Sequence, residues 1–231
     1  MIRYFIICFY LTVATSFVRD VYALTLDIRT SPENQLDFSL VIQQSSTSLK
    51  NSVYSLQTDF SEIGIQLFDV PPTIPIQLGI AAGYVFVDQQ VILGLRNTDL
   101  QGGYISFLSR FMLFEVNRWS ADFTAKYNYM VAENKSETQK TRLRWNHPSI
   151  EAKLNYSLDS YLSITLGGVY GLIDARLSAT GDNNMDLELK GKKRTSGILG
   201  ANYHVANDQK VAIQVQRGYI NRFSIHFQRT F

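Results

Sequence analysis

The sequence contains one cysteine, Cys8, and it lies in an apolar stretch at the very start of the chain. Its position excludes a disulfide framework, a cysteine metal site and thiolate catalysis from everything downstream. Proline is scarce, at 5 residues in 231, and no Pro-, Gly- or Ser-rich tract marks a linker, a repeat or a low-complexity segment. Neither sign of charge dominates, with 22 Lys and Arg against 20 Asp and Glu, so composition gives no argument for a nucleic-acid partner. Beyond residue 18 no apolar run approaches the roughly 20 residues that a membrane-crossing helix needs.

What is present at the start is an export leader. Arg3 supplies a basic beginning, Tyr4 to Val18 carry no charge, and Val21-Tyr22-Ala23 suits a signal-peptidase site. Residues 1–23 are therefore expected to be a signal peptide and Leu24 the mature N-terminus. Without Arg3, Arg19 and Asp20 the remainder carries 20 basic and 19 acidic residues. Residues 24–231 read as a single domain of ordinary size.

That domain is built from period-2 alternation. In "IQLGIAAGYVF", Ile76, Leu78, Ile80, Ala82, Tyr84 and Phe86 share one face, and smaller or polar residues share the other. "WSADFTAKYNYMV" sets Trp119, Phe123, Tyr127 and Tyr129 against Ser120, Asp122, Thr124, Lys126 and Asn128, and "LSITLGGVYGL" divides in the same way. A soluble barrel holding an apolar ligand would turn the apolar faces inward, and a transmembrane barrel would turn them to lipid. Three features favour lipid. Aromatics such as Trp119, Tyr129, Tyr84, Tyr156 and Tyr170 cluster near strand ends, the runs are long enough to cross hydrocarbon, and the opposite faces mix Gly, Ser and Thr with charges of both signs.

The connections then predict the count. Short ones fall at 69–74, 115–119, 157–161 and 205–209, and longer or more polar ones at 45–52, 88–99, 132–139 and 179–186, with a tight turn at 217–221. The fold class expected is all-β, a closed antiparallel transmembrane β-barrel of ten strands, at 35–44, 53–68, 75–87, 100–114, 119–131, 140–156, 161–178, 187–204, 210–217 and 222–231. The alternating but short "LTLDIRT" at 24–30 keeps eight or twelve strands open. Phe60 differs in parity from Ile63 and Ile65, and Leu143 and Trp145 from Ile150, so a bulge is expected in each of those two strands.

The chain ends on "FSIHFQRTF". Phe223, Ile225, Phe227 and Phe231 occupy alternate positions, and this pattern resembles the C-terminal signature of bacterial outer-membrane β-barrel proteins, from which only Arg229 departs. The resemblance implies location in the cell outer membrane of a Gram-negative bacterium. It also implies surroundings of lipid and lipopolysaccharide, and recognition of the last strand by the barrel-assembly machinery.

Inward parity selects a lumen charge network of Arg110, Asp122, Lys126, Glu151, Lys153, Lys190, Lys192 and Arg194. In a barrel this narrow such residues either close the lumen or line a porin-like path for small solutes or ions. The run "KGKKR" at 190–194 also offers Lys193 to phosphates of lipopolysaccharide. Catalysis has one candidate. His147, Ser149 and Glu151 alternate in "RWNHPSIEA", and the His-x-Ser element is similar to that of outer-membrane lipid A deacylases, although neighbours at i and i+2 lie about 6–7 Å apart along a strand. Outer-membrane proteases offer a second comparison, but Asp99, Asp182 and Asp186 have no histidine nearby in sequence. No metal site and no cofactor are expected, and the oligomeric state is not legible.

Overall fold

A computed structural model describes residues 35–71, 75–89, 99–135, 138–181, 184–206 and 208–231. The expected leader and cleavage site, the "LTLDIRT" segment and most of the 88–99 connection lie outside these described residues. The described chain is a succession of antiparallel strands: β1 (Gln35–Lys50), β2 (Ser55–Val70), β3 (Ile76–Gln89), β4 (Asp99–Val116), β5 (Trp119–Lys135), β6 (Gln139–Ser157), β7 (Leu162–Gly171), β8 (Asp174–Gly181), β9 (Met185–Gly191), β10 (Thr195–Ala206), β11 (Gln209–Gly218) and β12 (Asn221–Thr230).

Neighbouring strands pair in chain order from β1 to β7, then β7 pairs with β10, β10 with β11, β11 with β12, and β12 with β1. This is a closed ring of ten. The closing pair runs from Asp37↔Thr230 to Ser46↔Asn221, and Phe231 and Leu36 exchange both backbone N–H···O bonds at 3.0 and 3.2 Å. Closure leaves no unpaired edge along this seam, the condition that lipid imposes on a sheet.

The two extra strands come from a break in each of two long strands. The segment expected at 161–178 is interrupted at Leu172 and Ile173, and that at 187–204 between Gly191 and Thr195. Below the breaks β7 and β10 belong to the ring of ten. Above them β8 pairs with the upper half of β6, from Asn146↔Asp174 to Gln139↔Gly181, and β9 reaches β1 at Leu49↔Gly191 and Lys50↔Lys190. The hairpin β8–β9 thus passes over the tip of the shorter hairpin β11–β12, and the wall narrows from ten strands to eight.

The outer wall carries the apolar belt. Leu78, Ile80, Phe107, Leu154, Leu166, Leu199 and Ile213 are exposed on it, between an upper set of aromatics (Tyr84, Phe86, Tyr127, Tyr129, Tyr170) and a lower set (Phe114, Trp119, Tyr161, Tyr203). Ten residues of β5 separate Trp119 from Tyr129, about 33 Å along a strand and roughly 25 Å of height at the usual barrel tilt. The aromatic faces therefore point outward, and a soluble barrel with an aromatic-lined interior does not describe this chain.

The two expected bulges are absent. Pairing of β2 with β1 and β3, and of β6 with β5, runs without a register shift. Phe60, Leu143 and Trp145 stay on the inward parity and are buried there. The apolar side chains change face relative to Ile63, Ile65 and Ile150 because the upper lumen is itself apolar, a choice the pleat permits without an inserted residue. Register shifts occur instead between Met112 and Phe114 and between His204 and Ala206, both at the lower rim. At that rim Asn117 turns the β4–β5 connection with φ 55°, a left-handed conformation that asparagine tolerates.

Candidate functional site

The lumen is stacked in three levels. At the lowest, Asp37 accepts hydrogen bonds from Gln228 at 2.8 Å and Thr230 at 2.5 Å and lies 4.0 Å from Arg110. The Arg110 guanidinium bonds Gln77 at 3.3 Å and covers the Phe68 ring at 4.2 Å. Across the lumen Asn155 donates to Asp122 at 3.3 Å and accepts from Thr165 at 2.6 Å, while Asn202 donates to both Ser163 and Thr165 at 3.0 Å.

The middle level carries most of the charge. Gln43 donates to Glu62 at 2.7 Å, Glu151 is ion-paired with Lys153, and Lys126 lies within electrostatic reach of Arg222, Glu62, Glu151 and Lys153. Charges removed from water persist only where such partners offset the loss of hydration. Tyr104 lies across the glycines beside it, so closely that a Cβ added at Gly83 would come within 2.7 Å of its ring.

The upper level is apolar. Leu49, Leu56, Phe60, Val85, Val87, Leu100, Met130, Leu143, Trp145, Leu177 and Leu189 project from all eight strands of the narrowed ring into one cluster. Leu49, Leu100, Leu143, Leu177, Leu189, Val85 and Val87 are almost wholly inaccessible to water. Phe60 meets Trp145 edge to face at a centroid distance of 4.9 Å. The β11–β12 turn closes the level from the side. Tyr219 and Ile220 are buried, with the Tyr219 carbonyl accepting from Thr47 Oγ1 at 2.7 Å and the Tyr219 amide donating to Ser196 Oγ at 3.0 Å.

Of the residues expected in the lumen, Arg110, Asp122, Lys126, Glu151 and Lys153 occupy inward positions. Lys190, Lys192 and Arg194 do not. All three are exposed, Lys190 on the outer face of β9 and the other two in the link to β10. The break in the strand is the reason. It resets the alternation, so that β9 turns Leu187 and Leu189 inward and places Lys190 outside, and Arg194 reaches Tyr170 Oη on the outer wall at 3.4 Å. Arg222 and Lys210 are lumenal cations that sequence reasoning missed, Lys210 lying within electrostatic reach of Arg110, Asp37, Lys153 and Asp122. Arg222 shares the parity of Ser224 and His226, Lys210 that of Ala212 and Gln216, and that parity was the available signal.

His147, Ser149 and Glu151 all lie on the lumenal face of β6, away from lipid. His147 is buried beneath the apolar level with Nε2 2.9 Å from Tyr219 Oη, and Glu151 is taken by Lys153. Nucleophilic catalysis requires the base to reach the hydroxyl, and the hydrogen bond drawn by the His147 ring goes to tyrosine instead. Ser149→Ala is expected to leave the acylation of lipid A unchanged in cells expressing the protein, as read by mass spectrometry of extracted lipid. Asp186, offered by sequence as a protease carboxylate, is ion-paired with Arg176, whose hydrogen bond holds it below the usual carboxylate range.

No family model matches the chain, and no curated protein matches it. Among solved structures it is similar to the outer membrane protease OmpT from Escherichia coli, at 12% identity and a TM-score of 0.50 over 87% of this chain and 98% of that one. The translocator domain of autotransporter NalP from Neisseria meningitidis aligns at 10% identity with a TM-score of 0.49 over 96% of both chains. Neisserial surface protein A aligns at 9% identity with a TM-score of 0.44 over 84% of this chain and 97% of that one. At this identity the likeness to the protease establishes the fold, a closed antiparallel β-barrel, and nothing of its chemistry.

Proposed function

We propose that this protein is an integral outer-membrane barrel whose lumen is closed, with a structural rather than a conducting or catalytic role. The observation that carries the reading is the apolar level, where inward side chains from eight strands and the β11–β12 turn meet in one buried cluster. An ion passing it would shed its hydration without compensating ligands, a cost that a dry apolar constriction does not offset. The charged level beneath acts as an internal brace, with Glu62 and Glu151 set among Lys126, Lys153 and Arg222.

Location in the outer membrane is supported by the lipid-facing belt, by the leader-like residues 1–23 and by the fold. The outward positions of Phe223, Ile225, Phe227 and Phe231 support the reading of β12 as the strand presented to the assembly machinery. Arg229, the departure from the signature, extends to Asp208 at 3.2 Å and stacks over Phe231 at 4.8 Å, which takes its charge out of the belt.

Single-channel recording tests the closed lumen. The purified, folded protein in a planar bilayer is expected to give no conductance steps at any polarity. Steady steps with a reproducible unit conductance would overturn the reading in favour of a channel.

A further inference from the structure

On the outer wall, a groove of about 530 Å³ crosses five adjacent strands, lined by Leu78, Phe107, Tyr127, Pro148, Ile150 and Leu172. With strands about 4.8 Å apart it is roughly 19 Å wide, so more than two acyl chains can lie side by side across it, each only partly sunk into the wall. Pro148 sits opposite Tyr127 in the β5–β6 pair, and its carbonyl accepts from the Leu172 amide at 3.0 Å, at the point where β6 exchanges β7 for β8 as its neighbour. The groove thus marks the fork in the wall.

Directly above it the outer face changes character. Tyr127 Oη donates to Asn146 at 3.0 Å, and the next outward positions of β6 are Arg144, Arg142 and Lys140. Arg144 stands opposite Val131 on one side and opposite Arg176 of β8 on the other. Glu133 binds both Lys140 at 3.0 Å and Arg142 at 2.8 Å, and Asp186 pairs with Arg176. Arg144, exposed, has neither a hydrogen bond nor an ion pair among the described residues. Like charges directly opposite on a sheet face repel. Glu188 of β9 stands opposite Arg176 and Glu133 lies within electrostatic reach of Arg144, but neither carboxylate accepts a hydrogen bond from the Arg144 guanidinium. The arginine pair lies about 13 Å along β6 from Pro148, just past the upper aromatics, at the height of lipid head groups.

We propose that this face binds a phosphorylated, multiply acylated glycolipid of the outer leaflet, the lipid A end of lipopolysaccharide, with acyl chains in the groove and a phosphate between Arg144 and Arg176. The width of the groove selects a lipid with more than two chains over a phospholipid. The guanidinium pair selects phosphate, which arginine engages by paired, charge-assisted hydrogen bonds. The site rests on the outer-membrane reading, since it requires the β8–β9 end to face the outer leaflet.

The test is native mass spectrometry of the full, folded protein in detergent, titrated with bisphosphorylated hexa-acyl lipid A, its dephosphorylated form and phosphatidylglycerol. The wild type is expected to bind the phosphorylated lipid about tenfold more tightly than either comparator, and Arg144→Ala with Arg176→Ala to remove that preference. Both side chains are exposed, so heat-modifiable migration of the variant should match the wild type. Ile150→Trp with Leu172→Trp, which fills the groove, is expected to weaken both lipid A forms. Equal binding of all three lipids by the wild type, or a preference retained in the double arginine variant, overturns the proposal. Orientation is read separately by labelling Asn184→Cys in intact cells with an impermeant maleimide. Labelling only after permeabilisation would sink the orientation and the site with it, whereas labelling beside an unaltered lipid preference would sink the site alone.

Discussion

Replacing Trp145 with alanine is expected to lower the free energy of unfolding by about 3–5 kcal/mol, the range for removing a large aromatic from a packed core. Trp145 is 4% exposed, stands edge to face with Phe60 and lies 6.2 Å between ring centroids from His147. It therefore joins the apolar level to the His147–Tyr219 hydrogen bond beneath. The backbone around it is fixed by pairing on both sides, to Met130 of β5 and Ala175 of β8, so the wall cannot collapse into the space left behind. Trp145→Phe should recover most of the loss. Equilibrium urea unfolding in lipid vesicles, followed by tryptophan fluorescence from Trp119 or by circular dichroism, measures both. An alanine variant within about 1 kcal/mol of the wild type would mean that the upper level is not the packed core described here.

A second large effect is expected from Gly102→Val. A Cβ at this position would lie 1.9 Å from the Val131 carbonyl oxygen and 2.6 Å from the Ala132 Cα. Both are backbone atoms of β5, and no side-chain rotation relieves either contact. The β4–β5 pair must spread within a closed ring, where every displacement is passed to the next strand, and a cost at or above the usual overpacking range of about 1–3 kcal/mol follows. Gly103, one position along and facing out, has only one neighbour, a backbone oxygen at 3.4 Å, and makes the matched control. The expected result is a fall of more than about tenfold in the folded, heat-modifiable fraction for Gly102→Val and little change for Gly103→Ala. Equal folding of the two variants would contradict the packing of β4 on β5.

Both variants probe features that differ in how far the sequence revealed them. The transmembrane wall was legible because a pleated strand assigns faces locally. Leu78, Phe107, Tyr127 and Leu166 lie on the lipid side wherever their strands are placed, and Arg110, Asp122, Lys126, Glu151 and Lys153 lie on the other. The same rule misassigned Lys190, Lys192 and Arg194, because an irregular link between Gly191 and Thr195 resets the alternation, and a lone glycine such as Gly191 inside a strand-like pattern does not by itself mark a strand end. The rule also led to bulges in β2 and β6 that are not there, since an apolar residue on the lumenal parity was taken as a slip in register when it signalled an apolar lumen.

By itself, then, the sequence determined that the chain forms long antiparallel strands, that ten of them suit a closed wall, and that one face of that wall is apolar, because all three follow from spacing within about ten residues. Only the tertiary structure decided that the wall narrows to eight strands, that Phe60, Leu143 and Trp145 meet above the charged level, and that Arg144 and Arg176 face each other over an apolar groove. Each of these depends on register between distant segments, Leu49 with Gly191 and Arg144 with Arg176, and pleat periodicity, which repeats every two residues, carries no information about which partner a strand will choose.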